Sequence, residues 1–159
     1  MCIRDSLFSA TCDDRKLKIG LITDAPTKTS VHPECIKAAE KAASACENLG
    51  HIVEPTNWNF DGRELMRAFL MIVMNYTHRD VVNIARLIGV SEKNLDVELN
   101  TKFLSVAGSG ISQEKVEQSF GIWKKASLKM SALHKQFDVI LSPTVATPPL
   151  RSDALDPNT

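Results

Sequence analysis

The chain has 159 residues, 43% of them hydrophobic and 24% charged, the profile of one ordinary globular domain and not of a disordered or fibrous chain. Lys plus Arg and Asp plus Glu both number 19, so no excess charge draws the molecule to nucleic acid or to an anionic membrane. Its longest apolar run, AFLMIVM from Ala68 to Met74, is far shorter than the roughly 18 to 20 residues that cross a bilayer. The expectation is a cytoplasmic protein with neither a nucleic-acid nor a membrane partner.

The opening stretch, MCIRDSLFSATCDD, carries an early Arg4 and then Asp5, with no apolar core of signal-peptide length. Met1 to Ser6 resembles a translated sequencing-adapter remnant, and residues 1–16 are expected to be non-native or disordered. The four cysteines, Cys2, Cys12, Cys35 and Cys46, form no C-x-x-C pair and have no histidine at zinc-ligand spacing, so no metal site is expected. Cys35 and Cys46 fall on one predicted helix about 16 Å apart along its axis, too far for a disulfide. Reduced thiols follow.

In chain order, the first element is the apolar run LKIGLIT, Leu17 to Thr23, a predicted strand that feeds the turn-prone DAPTKTS. Pro33 then suits the first turn of a helix. Ile36, Ala39, Ala43, Cys46 and Leu49 recur at spacings of three and four before Gly50, a suitable stop. HIVEP supplies the next strand, making a β-α-β unit with parallel strands.

A second helix is predicted from Asp61 or Gly62 to Gly89, with Leu65, Phe69, Ile72 and Tyr76 at helical spacing. Apolar residues surround its middle, which predicts deep packing. Ser112, with Glu114 behind it, is a predicted N-cap for a helix reaching about Gln136. Val116, Phe120, Trp123, Met130 and Phe137 form its core-facing stripe. Finally DVILS, Asp138 to Ser142, reads as a third buried strand in the same sheet. No repeat, low-complexity tract or interdomain linker interrupts this order.

Few residues suggest chemistry. In AGSGISQE neither Ser109 nor Ser112 has the glycines that a nucleophile elbow needs on both sides, so the stretch reads as a loop ending in a cap. The histidines His32, His51, His78 and His134 are scattered, and His78 and Asp80, two apart on a helix, do not face each other. TDAPTKT lacks the glycines of a phosphate-wrapping loop.

The order of motifs is more informative. Ile19 to Ile22, then Val31 with Pro33 to Cys35, then Leu49 to His51 with Val53 and Glu54, resemble the strand, the V-x-P-E-C turn and the L-G-H-x-V-E helix end of amidase-signature enzymes. Downstream, Ile111 to Leu150 is similar to that family's long helix and its F-D-V-x-L-x-P-T-x-A-x-P-P strand and loop. The resemblance runs from about Leu17 to Leu150.

It implies an α/β fold, part of a mixed sheet with covering helices, truncated at both ends: a partial domain over residues 17–150 and a truncated tail over 151–159. It implies an amidase acting on a small-molecule carboxylic amide through a serine, a second serine in a cis peptide and a lysine, with no cofactor. In the family the glycine- and serine-rich loop and the lysine precede the matching region, so no catalytic residue is assigned here. This chain is expected to supply core sheet and pocket walls and to be inactive by itself.

The Pro-Pro loop follows a strand, where α/β sheets place ligand sites. Thr144 and Thr147 are therefore candidate substrate-binding residues, with Asn75 and Tyr76 from the apolar helix. The substrate and the oligomeric state are not legible. A stand-alone amidase is preferred to a tRNA-dependent amidotransferase subunit, whose tyrosine-rich helix is missing. The rival reading is a small non-catalytic α/β ligand-binding or protein-interaction domain; a nucleotide-binding domain would need a glycine-rich first turn.

Overall fold

The computed structural model describes residues 15–149; Met1 to Ser6 and the tail 151–159 lie outside the described residues. Three short strands, β1 (Lys18–Leu21), β2 (Ile52–Pro55) and β3 (Val139–Leu141), form one sheet in the order β2-β1-β3. Both pairings are parallel, with Ile19 opposite Val53 on one side and Val139 on the other. The β-α-β unit and the third strand therefore join as the sequence pattern requires.

Helix α1 (Pro33–Asn48) connects β1 to β2. His32 caps it, its Nδ1 accepting from the Glu34 N–H at 3.2 Å, and Pro33 occupies the first turn, where its missing N–H is harmless. Its buried residues are Ala39 and Ala43, small side chains that let the helix lie close to the sheet. Leu49, expected on the apolar stripe, is 77% exposed, because the chain has already left the helix there.

Helix α2 (Gly62–Ile88) starts with the Asp61 side chain accepting from the N–H groups of Arg63 and Glu64 and ends at Gly89 in the left-handed region, φ +73°. After a single 3-10 turn (Glu92–Asn94), α3 (Leu99–Gly108) packs back on α2. This helix escapes the sequence reading, and two of its residues, Ala107 and Gly108, belong to the stretch expected to be a loop. Helix α4 (Gln113–Leu133) packs against α2 and is capped by Ser112, whose Oγ accepts from the Lys115 N–H.

Gly108 explains how closely α3 approaches α2. A Cβ at that position would fall inside the carbonyl of Met74, so only glycine permits the crossing. The core that joins helices to sheet consists of Ile22, Leu133 and Phe137, with Trp58, Met130 and Ile140 packed against it.

Deep packing of the α2 middle is corrected by the structure. Ala68 is buried, but Met66, Phe69, Leu70 and Met71 are 40 to 47% exposed. Among the described residues α2 is covered by α3, α4 and the short 3-10 turn, and a helix that is apolar all round needs neighbours on every side. The α4 stripe divides in the same way: Val116 and Phe137 are buried, Phe120 and Trp123 nearly half exposed.

Candidate functional site

Because all three strands are parallel, their C-terminal ends open on one side, and three loops meet there. The loop after β1 is tied to that after β3 by the Ile22 N–H donating to the Leu141 carbonyl at 2.9 Å and the His32 N–H donating to the Ala146 carbonyl at 2.8 Å. The loop after β2 joins them: the Trp58 indole N–H donates to the Asp24 carbonyl at 2.8 Å, and the Gly62 N–H to the Pro26 carbonyl at 3.1 Å. Arg63 Nε adds a bond to the Thr27 carbonyl at 2.8 Å. Backbone carbonyls in loops need such partners, and here each loop satisfies its neighbour.

Two cavities open on this framework. One, of about 360 Å³, lies between Cys35, Ala39 and Ala42 of α1 and the residues from Leu141 to Val145. The other, of about 120 Å³, is bounded by Asp24, Pro26, Val31 and Trp58 on one side and by Pro143 to Ala146 on the other. Thr144 lines both. Thr147 is exposed farther along the same loop.

The other two candidate residues are elsewhere. From Gly62 to Asn75 helix α2 rises about 20 Å at 1.5 Å per residue. Asn75 is 8% exposed; its Nδ2 donates to the Ile111 carbonyl at 3.1 Å, and its Oδ1 is buried with no hydrogen-bond partner. Tyr76 is 44% exposed, with the Arg79 guanidinium 5.4 Å from its ring centre. The structure thus places Thr144 and Thr147 on one loop and Asn75 and Tyr76 at the helix crossing.

Chemically, the cleft at the sheet end carries hydroxyl groups and a carboxylate in its lining. Its hydroxyls come from Ser142 and Thr144 and its carboxylate from Asp24; Asp61, at the start of α2, is held below the ordinary carboxylate range by the N–H groups of Arg63 and then Glu64. His32 spends its Nδ1 on the α1 cap. Among the described residues no three His, Cys, Asp or Glu side chains form a group able to hold a metal, and Cys35 and Cys46 are free. No helix among them is long and apolar enough to cross a membrane.

One polar pair was invisible to spacing arguments. His78 Nδ1 lies 3.3 Å from Ser105 Oγ, across the α2–α3 contact. Its partner is thus Ser105, 27 positions away, and not the nearby Asp80. Trp58 was missed as well, since only the folded loops bring its indole to Asp24.

A sequence model of the amidase family matches residues 4–159. The chain belongs to the amidase family. No curated protein matches the sequence. Among solved structures the amidase chain is similar to a bacterial aryl acylamidase of the amidase-signature family, with 22% identity and a TM-score of 0.73 over 86% of this chain. It is also similar to 6-aminohexanoate cyclic dimer hydrolase complexed with substrate, with 21% identity and a TM-score of 0.71 over 91% of this chain. It spans 29% of the first structure's length and 31% of the second's. The fold is that of the amidase-signature enzymes, reproduced over the α/β region described above.

Proposed function

We propose that this chain is part of an amide hydrolase and forms core sheet and pocket walls in it. The reading rests on family membership combined with one observation: the molecule leaves surfaces that an enzyme of this class would cover. β2 and β3 are the sheet's two edges, and among the described residues no strand pairs with their outer sides. Phe69, Leu70, Met71, Phe103 and Trp123 all stand 40% or more exposed, an amount of apolar surface that normally marks an interface.

In this reading the reaction breaks a carboxylic amide C–N bond. A serine attacks the carbonyl, a second serine in a cis peptide relays its proton to a neutral lysine, and backbone N–H groups hold the oxyanion. Those groups come from elsewhere in the enzyme, and the isolated chain is inactive. Thr144 and Thr147 line the substrate pocket at the sheet end; Asn75 and Tyr76, about 20 Å along α2 from that end, line a part of it that other segments of the enzyme complete. The free Oδ1 of Asn75 supports its role, because a buried acceptor left unpaired gains from a substrate N–H. The substrate is a small-molecule amide, and the enzyme acts in the cytoplasm.

The test is to assay two proteins on acyl anilides and linear aliphatic amides: this chain, and the longest reading frame that encodes it. Hydrolysis by the longer protein alone is the expected result. Turnover by this chain alone, or no hydrolysis of any amide by the longer protein, overturns the reading. In the longer protein, Thr144→Val and Asn75→Ala are expected to raise KM more than they lower kcat.

A further inference from the structure

The helices hold a further cavity, remote in sequence from the loops at the sheet end. It measures about 380 Å³ and opens between α2, the 3-10 turn and α3. His78 and Ser105 meet in its wall, and Lys93, Lys102 and one acidic residue, Glu92, belong to its lining. Val81 and Val97 give it an apolar floor. Ser105 is 6% exposed and Val81 6%, so the cavity reaches into the helix contact.

The His78–Ser105 pair always keeps one donor in reserve. A neutral imidazole carries one N–H. If Nδ1 accepts from the Ser105 hydroxyl, the ring proton is on Nε2, which makes no hydrogen bond among the described residues. If Nδ1 donates to Ser105 Oγ, the hydroxyl proton is left over instead. In either arrangement one N–H or O–H of the pair has no hydrogen-bond partner among the described residues, in a cavity lined also by two lysines and one glutamate. Ser109, by contrast, spends its hydroxyl on the Val106 carbonyl at 2.8 Å.

We propose that this cavity binds a small organic carboxylate with a short aliphatic body. The carboxylate takes the spare donor of the His78–Ser105 pair and the ammonium groups of Lys93 and Lys102, charge-assisted bonds that are stronger than neutral ones. Its hydrocarbon part covers Val81 and Val97. Glu92 sets the limit on charge: a dianion such as phosphate gains less here than a monoanion, and an amine has two ammonium groups to repel it.

The experiment is a titration of the isotope-labelled full chain with sodium butyrate, followed by amide chemical shifts, with sodium chloride and inorganic phosphate as parallel titrations. Butyrate is expected to give saturable shifts centred on residues 78–81 and 92–106, with chloride giving none and phosphate weaker ones. Lys102→Met, at an exposed position that leaves the fold intact, is expected to weaken binding about tenfold, the equivalent of one charge-assisted contact. The double substitution His78→Leu with Ser105→Ala, which removes the spare donor in either arrangement, should do the same while leaving the spectrum outside α2 and α3 unchanged. The proposal is overturned by the absence of saturable shifts, by equal shifts with chloride, or by butyrate binding that neither substitution weakens. These outcomes are read on binding alone, so they are independent of whether any amide is hydrolysed.

Discussion

The sheet with α1 and the three-helix arm of α2, α3 and α4 are built from the same residue types but close their cores differently. In the sheet unit, β1 is flanked on both sides by strands and its Ile19 is 4% exposed. In the arm, α2 is the centre, yet covering it with α3, α4 and the short 3-10 turn leaves Met66, Phe69 and Leu70 at 40% exposure or more. A strand needs partners only along its two edges, whereas a helix that is apolar all round needs them through a full turn. The arm is therefore the region that leaves the larger share of its apolar side chains exposed. The two regions are joined by Phe137, Leu133 and Ile22 at the end of α4.

Cutting that joint should have the largest effect. Phe137→Ala removes a ring that is 6% exposed, with an expected loss of about 3 to 5 kcal/mol. Denaturant unfolding should show both regions destabilised together. A smaller and more local effect is expected from Gly108→Ala, which pushes α3 away from the Met74 carbonyl at roughly 1 to 3 kcal/mol. Amide exchange should then quicken in α2 and α3 while the β1 amides keep their protection; equal quickening in both regions would mean that they fold as one unit.

The exposed arm surface offers a third contrast. Phe69 and Trp123 stack with ring centres 6.0 Å apart at the surface. Replacing both by Ser should reduce the binding of a hydrophobic dye and lower the melting temperature by less than Phe137→Ala does, since each ring is only partly buried. The smallest effect concerns the start of the arm. Asp61→Ala removes the α2 cap, whereas Asp61→Asn retains it. Because the cap bonds lower the folded-state pKa of Asp61, its contribution is present above the ordinary aspartate range and is lost as pH falls through the lowered value. Acid titration of helicity should separate the wild type from Asp61→Ala above that range and bring them together below it.

These comparisons show which features local sequence fixes. Strand β1, the Pro33 start of α1, the α2 start at Asp61 or Gly62, the Ser112 cap and the Gly89 stop were all legible, since each depends on residues within a few positions of one another. Helix α3 was not, because its helical character rests on contact with α2 through Gly108 and gives no periodic signal strong enough to stand alone. Within the candidate site, the position of Thr144 after a β-strand could be read from the chain, but its two cavities could not. Their walls come from α1, from Trp58 and from the turn around Asp24, more than 80 positions earlier.

By itself, then, the sequence determined the order of the strands and of α1, α2 and α4, the parallel β-α-β unit and membership of the amidase family, all of which are carried by short-range pattern and ordered motifs. Only the tertiary structure decided which apolar faces are covered, where Asn75 leaves an acceptor unpaired and that His78 meets Ser105. The physical reason is range: capping and periodicity act over three or four residues, whereas burial and hydrogen-bond partnership are set by chains that meet across tens of positions.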